Sequence, residues 1–403
     1  MRVHVKTFGC KVNFADSEEL AALLRSQGIA ASYETGESSG DLFIINTCCV
    51  TAAAVKKARQ YIRRLQAQNA GAEIIVTGCA AREQTIAREL TQLGVRLARD
   101  AESLLAQLPP GSVGPGEVSA RRRSRRFVKV QEGCNSYCSY CIVPFVRTLN
   151  SVPLTQVVDR VASAVAEGVP EVVLCGTNIG LYQDGAAAGL NNVLEEVLSA
   201  LPATTRLRLS SIDPQHVDDT LLHLMHHPQM CPHLHLPLQS GSDRVLHDMR
   251  RPYTSAEFAF LVQRFRTAFP YGAVTTDVMV GFPTETEEDF QKTVDLVREC
   301  AFERVHLFRF SPRPQTKAAA LKPLPASEVR RRFDTLKDTV EAASNESLRR
   351  FVGKTCKVAL EGRGRGYGES YQLVKVAGAG AKVGLLQVRL DSLRNGVFTG
   401  KPA

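Results

Sequence analysis

The chain has 403 residues, of which 44% are apolar and 23% charged, and its formal net charge is +9. A chain of this length is expected to form roughly two to four domains that each bury a core. No apolar run reaches the roughly 18 residues of a membrane-spanning helix, and the start lacks a signal-peptide pattern, so we expect a cytoplasmic protein. In that reducing compartment the 11 cysteines are expected to bind metal or act in catalysis rather than form disulfides.

The first region, residues 1–108, is predicted to be an α/β domain. Apolar patterning and capping residues predict strands at 3–5, 42–46 and 73–77, and helices at 16–28, 52–68 and 82–93. Strands that alternate with helices form a parallel sheet covered on both faces. The Gly- and Pro-rich stretch 109–125 is then predicted to be a linker, and the basic run 121–126 is either a soluble part of it or a track for RNA.

The second region, residues 126–350, is predicted to be a partial (β/α)6 barrel. Helical stretches separate six strand-like runs, at 127–131, 171–174, 206–210, 234–238, 274–280 and 304–310. In barrels of this type the chemistry gathers at the C-terminal ends of the strands. The last region, residues 351–403, is rich in glycine and alternates apolar with polar residues, which predicts a small β-barrel.

Three closely spaced cysteines follow the first strand of the predicted barrel. Cys134, Cys138 and Cys141 form a Cys-x3-Cys-x2-Cys run. Three thiolates hold three irons of a four-iron cube and leave the fourth iron open to a cofactor. Zinc more often takes four protein ligands, and no fourth Cys or His lies close in sequence. The spacing therefore predicts an iron–sulfur site rather than unrelated buried or surface cysteines.

A second set of cysteines is scattered through the first region. Cys10, Cys48 and Cys79 each come just past a predicted strand, and parallel strands end at the same edge of their sheet, so the three thiols are expected to converge. The alternative is that they are small buried apolar residues. Because neighbours on an extended chain point opposite ways, we expect Cys48 rather than Cys49 to join the set. The other cysteines lack ligand spacing and are expected to pack in cores, namely Cys175, Cys231, Cys300 and Cys356.

Several motifs resemble those of one enzyme family. The run Gly-Cys-Asn-Ser-Tyr-Cys-Ser-Tyr-Cys at 133–141 resembles the radical S-adenosylmethionine signature. Gly-Cys-Lys-Val-Asn at 9–13, Asn-Thr-Cys at 46–48 and Thr-Gly-Cys at 77–79 resemble the first domain of methylthiotransferases, and the tail resembles the small RNA-binding barrel called TRAM. The resemblance extends over essentially the whole chain. Within the family, residues 9–13 and 50–60 are most similar to the threonylcarbamoyladenosine tRNA methylthiotransferases.

The resemblance implies two [4Fe-4S] clusters and S-adenosyl-L-methionine as cofactors, with tRNA as the partner. One cluster, on Cys134, Cys138 and Cys141, would cleave S-adenosylmethionine to a 5′-deoxyadenosyl radical. The other, on Cys10, Cys48 and Cys79, would hold the sulfur for a methylthio group placed on N6-threonylcarbamoyladenosine beside the anticodon, at position 37. The alternatives are isopentenyladenosine in tRNA, an aspartate of a ribosomal protein, or a non-catalytic metal-bound RNA-binding protein. No pattern identifies the electron donor or the sulfur donor.

Two further groups of residues are candidate contacts. The first group lies at the ends of barrel strands: the second strand is followed by Gly176, Thr177 and Asn178, and matching positions hold Ser211 and Gln239. These residues are candidate contacts to the cofactor. The equally good alternative is that they form ordinary turns. The tail holds nine Lys or Arg and three Asp or Glu after residue 353, a net charge of +6. The resemblance implies that this tail binds RNA. The candidates to contact phosphates are Arg363, Arg365 and Lys375, and the candidate to stack on a base is Tyr371. The alternative for each of them is ordinary solvated surface.

Overall fold

The computed structural model describes residues 2–33, 40–69, 71–108, 124–185, 188–362, 364–380 and 383–403. These residues form an N-terminal parallel sheet with helices, a central open barrel of parallel strands, and a closed C-terminal β-barrel. The predicted fold class is confirmed. No helix in the described part of the chain is long and apolar enough to cross a membrane. The predicted linker lies outside the described residues except for Ser124, which is fully buried, and Arg125, which begins a strand.

The N-terminal unit is a five-stranded parallel sheet with the strand order β2-β1-β3-β4-β5. Its strands are β1 Val3–Phe8, β2 Ala31–Tyr33, β3 Leu42–Thr47, β4 Glu73–Thr77 and β5 Arg96–Leu97. Its helices are α1 Lys11–Ser26, α2 Ala52–Gln68, α3 Cys79–Arg82, α4 Gln84–Thr91 and α5 Ala101–Leu105. Helices cover both faces, so every residue of the central strand β3 is buried. Phe43 and Ile45 join one core, and Leu42 and Ile44 join the core on the opposite face.

Two predicted helices of this unit differ from the observed ones. Helix α1 begins five residues before the predicted start, because the Cys10 carbonyl already accepts the Phe14 N–H at 3.2 Å. The helix predicted at 82–93 is observed as α4, which is shorter, and residue 82 already belongs to the end of α3. The chain breaks at Glu83, whose side chain accepts the Ile86 N–H at 2.7 Å and so caps α4.

The central unit contains all six predicted barrel strands, which run parallel. They form two sheets with the orders β12-β9-β6 and β13-β14-β15, joined by single bridges such as Ser211 with His235. The strands of this unit are β6 Arg125–Lys129, β7 Gln131–Glu132, β8 Asn150–Ser151, β9 Glu171–Cys175, β10 Gln183–Asp184, β11 Ala188–Gly189, β12 Arg206–Leu209, β13 His233–His235, β14 Ala273–Val280 and β15 Arg304–Arg309. The helices are α6 Val143–Val146, α7 Leu154–Ala166, α8 Leu190–Ala200, α9 Asp219–Leu224, α10 Asp243–Asp248, α11 Ser255–Ala268, α12 Glu287–Cys300 and α13 Ala326–Arg349.

The C-terminal unit is a closed five-stranded barrel with the order β16-β17-β18-β20-β19. Its strands are β16 Thr355–Glu361, β17 Arg365–Tyr367, β18 Leu373–Val376, β19 Val383–Arg394 and β20 Val397–Pro402. Val358, Val374 and Phe398 are fully buried inside it, and Leu348 from the end of α13 packs against the same core. Closure removes the exposed strand edges that a sheet this small would otherwise present.

The closed barrel docks on the N-terminal ends of the central strands. Glu171 and Arg208 are completely buried there, and Arg208 donates to both oxygens of Glu171. Arg206 also pairs with Glu171 and donates to the Lys357 carbonyl at 2.6 Å, while Arg208 donates to the Gly368 carbonyl at 2.9 Å. Although burial disfavours its charge, the two arginines lower the pKa of Glu171 below its usual range. The buried charges therefore join the two units.

Candidate metal centres

The first cysteine set lies in the loop between β7 and α6, beyond the C-terminal end of β6. Cys138 is buried, and Cys134 and Cys141 are half-buried. Burial raises the pKa of the Cys141 thiol to about 12, and the charges of Cys138 and Cys134 act on it in the same direction. The three thiols are therefore close enough for their charges to act on one another. A cationic iron cluster would relieve the mutual repulsion of three thiolates placed together in this way.

An arginine that sequence reasoning missed links this loop to a predicted cofactor residue. Arg251 lies near Cys138, with 3.4 Å between its Nη1 and the Sγ, and it donates through Nη2 to Asp213 at 2.6 Å. The other oxygen of Asp213 accepts from the amide of Asn178 at 3.0 Å. Arg251 comes after α10, more than a hundred residues beyond Cys138, so no local pattern announces the contact. This chain of polar contacts fixes the loop relative to the barrel.

The five predicted cofactor contacts lie at strand ends on the same edge of the barrel, but they are not equivalent. A Cβ on Gly176 would stand 2.8 Å from the Gln131 side-chain oxygen, so the backbone passes too close for a larger residue. The side chain of Asn178 donates to Asp213 and accepts from the Gly180 N–H, so its polar atoms have a structural role. Thr177 and Ser211 are half-buried.

Gln239 is the member of that group best suited to meet a polar ligand. It is 6% exposed and has a left-handed backbone with φ +69°, which costs energy for a residue other than glycine. Its side-chain oxygen Oε1 is buried and has no hydrogen-bond partner among the described residues. A buried acceptor without a partner is costly unless a ligand supplies the donor. The strand-end edge therefore fits a cofactor rich in donors, such as S-adenosylmethionine.

The second cysteine set meets at the C-terminal edge of the N-terminal sheet. Cys10 follows β1, Cys48 follows β3 and Cys79 begins α3 directly after β4. Hydrogen bonds from the thiols of Cys48 and Cys49 lower the pKa of Cys79 well below its usual value, and the charge of Cys10 acts on Cys48. The convergence expected from parallel strands is present in the structure. Three soft thiol ligands in one place suit an iron–sulfur cluster.

The expectation that Cys49 faces away from this set is wrong. Cys49 is fully buried in the same core as Cys79, and its interaction with Cys79 raises the pKa of the Cys49 thiol. Strand β3 ends at Thr47, so the alternation rule for an extended chain does not apply to Cys48 and Cys49. Cys48 is still the better ligand candidate, because both Cys10 and Cys79 act on it, whereas Cys49 meets only Cys79.

Two buried polar atoms beside the second set have no partners among the described residues. They are Nε of Arg313, a residue that is 7% exposed, and Oε1 of Glu83, a residue that is 1% exposed. The charges of Cys49, Cys48 and Glu83 all act on Arg313. Arg313 belongs to the central unit, so both units contribute side chains around these thiols. Beside the second cysteine set, Arg313 Nε can therefore donate a hydrogen bond to a bound polar group, and Glu83 Oε1 can accept one.

Neither cysteine set has the geometry of a site for one metal ion. In the described part of the chain, no group of three or more His, Cys, Asp or Glu side chains is arranged to hold a single ion. In a four-iron cube each thiolate binds a different iron, so the ligand sulfurs stand farther apart than they do around one ion.

The loop of the first set depends on a glycine, which gives a testable prediction. Gly133 has φ +74°, and a Cβ on it would stand 2.3 Å from the Thr148 carbonyl oxygen. We expect Gly133→Ala to lose the first cluster, so the iron content after anaerobic reconstitution falls from about eight atoms to about four. Gly353→Ala is the matched control, since Gly353 has φ +79° with nothing within 4 Å of the added Cβ. Equal iron in both variants would contradict the prediction.

The predicted RNA contacts of the tail are placed differently from one another. Arg365 and Lys375 are exposed and lie opposite each other on β17 and β18. The ring of Tyr371 stacks on His233 at 4.5 Å and on Tyr367 at 4.9 Å between centroids. It already has two aromatic partners within the protein, and its stacking on an RNA base stays a prediction. Arg363 lies outside the described residues.

Comparison with known proteins identifies the family. Residues 2–97 match the uncharacterized protein family UPF0004, and residues 128–297 match the radical SAM superfamily. The threonylcarbamoyladenosine tRNA methylthiotransferase MtaB of Thermotoga maritima is 34% identical, over 97% of this chain and 94% of its own length. The tRNA-2-methylthio-N(6)-dimethylallyladenosine synthase of Endomicrobium trichonymphae is 32% identical, over 90% of this chain and 89% of its own length.

A solved structure supports the fold alone. The radical S-adenosylmethionine methyltransferase TsrM of Kitasatospora setae, with cobalamin and a [4Fe-4S] cluster bound, superimposes with a TM-score of 0.53. The match covers 79% of this chain and 74% of that one, at 17% sequence identity. Full-length similarity to the curated relatives, together with the two cysteine sets, shows that this chain belongs to the radical S-adenosylmethionine methylthiotransferase family.

Proposed function

We propose that this protein is a tRNA methylthiotransferase that converts N6-threonylcarbamoyladenosine beside the anticodon to its 2-methylthio derivative. The observation that carries the proposal is the presence of two separate sets of three cysteines, one on the barrel and one on the N-terminal sheet. Cleavage of S-adenosylmethionine needs only the first set. A second set with its own polar surroundings supports a reaction that also delivers sulfur.

Each set has a defined place in this proposal. Cys134, Cys138 and Cys141 would hold the cluster to which S-adenosylmethionine binds, and Cys10, Cys48 and Cys79 would hold the second cluster. When bound, the first cluster supplies the electron that cleaves the cofactor, and the second supplies sulfur. The protein itself would position the cofactor through the unpartnered oxygen of Gln239, and it fixes the first loop through Arg251.

The proposed RNA surface is the exposed cationic face of the closed barrel. Besides Arg365 and Lys375, exposed Lys401 lies opposite Arg389 on the neighbouring strands β20 and β19. Lys and Arg side chains that neutralise phosphates release bound counterions, which makes the affinity depend on salt. This face therefore supports recruitment of tRNA without taking part in the chemistry.

A charge-removal experiment tests this surface. The double variant Arg365→Ala/Lys375→Ala is expected to bind tRNA more weakly and to reduce the salt slope by about two, one for each phosphate that is no longer neutralised. Cleavage of S-adenosylmethionine in the absence of tRNA is expected to be unchanged. The matched control is Arg330→Ala/Lys337→Ala, which removes two exposed cations from α13. An identical drop in tRNA affinity in the control would argue for nonspecific attraction only.

Nucleoside analysis of a deletion strain tests the proposed substrate. Mass spectrometry of digested tRNA is expected to show loss of 2-methylthio-threonylcarbamoyladenosine and accumulation of its precursor, with both restored by the gene. Loss of the 2-methylthio derivative of isopentenyladenosine instead would assign the chain to the other tRNA branch. An unchanged tRNA nucleoside profile would contradict both tRNA substrates.

A further inference from the structure

A buried arginine of the central unit contacts a cysteine of the N-terminal unit. Arg147 is 5% exposed, and its Nε lies 3.0 Å from the Sγ of Cys79. Its Nη2 donates to Asp16 at 2.6 Å, and its Nη1 donates to Glu132. All three nitrogens of the planar group therefore have partners, which fixes its orientation. Asp16 and Cys79 belong to the N-terminal unit, whereas Glu132 belongs to the central one.

The same arginine is connected to the first cysteine set by a short stretch of chain. Helix α6 begins two residues after Cys141 and ends immediately before Arg147. Ile142 and Val146 lie between Cys141 and Arg147, and both pack in the same hydrophobic core as Cys79. The short segment from Cys141 to Arg147 therefore connects the two sets. It begins at a cysteine of the first set and ends at a residue that contacts the sulfur of Cys79, in the second set.

We propose that Arg147 is a positioning residue that holds Cys79 in place and tunes the cluster bound by the second cysteine set. Hydrogen bonds to ligand sulfurs are among the features that set the reduction potential of an iron–sulfur cluster. A cation that donates to Cys79 stabilises the more negative, reduced cluster and therefore raises its potential. Because the donor comes from the central unit, the potential of the second cluster depends on the docking of the two units. The inference rests on the proposed function for the existence of that cluster.

A redox titration of the full-length protein loaded with both clusters tests this role. We expect Arg147→Gln to shift the potential of the second cluster to a more negative value and to leave the first cluster unchanged. The first cluster, recognised by the change in its electron paramagnetic resonance signal when S-adenosylmethionine is added, serves as the internal reference. Arg147→Lys keeps the charge but not the three hydrogen bonds. The potential of its second cluster is therefore expected to lie between that of Arg147→Gln and that of the unsubstituted protein.

The matched control separates tuning from simple attachment of the two units. Arg160 of α7 pairs with Glu19 of α1 at 2.6 Å across the same boundary, and none of its described contacts is to a cysteine. Arg160→Gln is expected to leave both potentials unchanged. Failure of Arg147→Gln alone to load the second cluster, with the first cluster intact, would also support the positioning role.

Two outcomes would overturn the inference. The first is a second-cluster potential that is the same in Arg147→Gln, Arg160→Gln and the unsubstituted protein. If those proteins still methylthiolate tRNA, that result removes the role of Arg147 and leaves the proposed function standing. The second is the absence of a second cluster from the unsubstituted protein, which would overturn the role of Arg147 and the proposed function together.

Discussion

Cys138→Ala is expected to form neither 5′-deoxyadenosine nor methylthiolated tRNA, whereas Cys48→Ala is expected to form 5′-deoxyadenosine but no methylthiolated tRNA. The reason is the position of each cysteine. Cys138 lies in the barrel loop next to the proposed cofactor edge, and Cys48 lies on the N-terminal sheet. Chromatography of 5′-deoxyadenosine and mass spectrometry of tRNA nucleosides, from the same reaction, measure the two products separately.

The control for this pair must be a buried cysteine outside both sets. Cys300, at 3% exposure in the core of the barrel, meets that requirement, and Cys300→Ala is expected to keep both products. Cys49→Ala is not a neutral control, because Cys49 is buried in the same core as Cys79 and the two thiols interact. Circular dichroism must show that each variant is folded, since loss of a cluster can unfold a domain. Methylthiolated tRNA from folded Cys48→Ala would contradict the ligand assignment.

Glu171→Gln is expected to destabilise the protein strongly while leaving the cysteines untouched. The substitution leaves Arg206 and Arg208 buried without their counter-charge, which costs about 3 kcal/mol or more. For a cooperative unit of this size the melting temperature is expected to fall by about 6 °C or more. Thermal unfolding of the metal-free protein, followed by circular dichroism, measures the change without interference from cluster loss.

A partly buried ion pair at the same boundary provides the comparison. Arg125 pairs with Glu361 at 2.5 Å, and the Glu361 side chain is 35% exposed. Because solvent reaches Glu361 but not Glu171, Glu361→Gln is expected to lower the melting temperature by less than Glu171→Gln does. Equal melting temperatures for Glu171→Gln and Glu361→Gln would show that the buried charges do not hold the closed barrel on the central unit.

Local patterns in the sequence were enough to predict three of the five N-terminal strands and all six barrel strands. The six barrel strands have short apolar runs between helical stretches, so periodicity alone finds them, and their ends differ from the observed ones by a few residues. The convergence of Cys10, Cys48 and Cys79 also follows from a general rule, because each comes at the end of a parallel strand. The start of α1 could not be predicted in this way, since Cys10 caps the helix through its carbonyl rather than its side chain.

Local sequence patterns could not predict the contacts between residues that are far apart in the sequence. Arg147 meets Cys79, and Arg251 lies beside Cys138, only after the chain has folded, and single arginines carry no local signal. Composition likewise shows that Tyr371 is an aromatic ring in the tail, but it does not show that the ring of His233 stacks on it. Docking between units, rather than secondary structure, therefore decides which of the predicted residues are free to act.

The proposed function is tested most directly by a reaction of the reconstituted enzyme with two tRNA substrates. One tRNA carries N6-threonylcarbamoyladenosine beside the anticodon and the other carries isopentenyladenosine, and both receive S-adenosylmethionine, a reductant and a sulfide source. Mass spectrometry of the nucleosides is expected to show the 2-methylthio product only from the first tRNA. A methylthio product from the second tRNA alone, or from neither tRNA while 5′-deoxyadenosine accumulates, would contradict the proposed function.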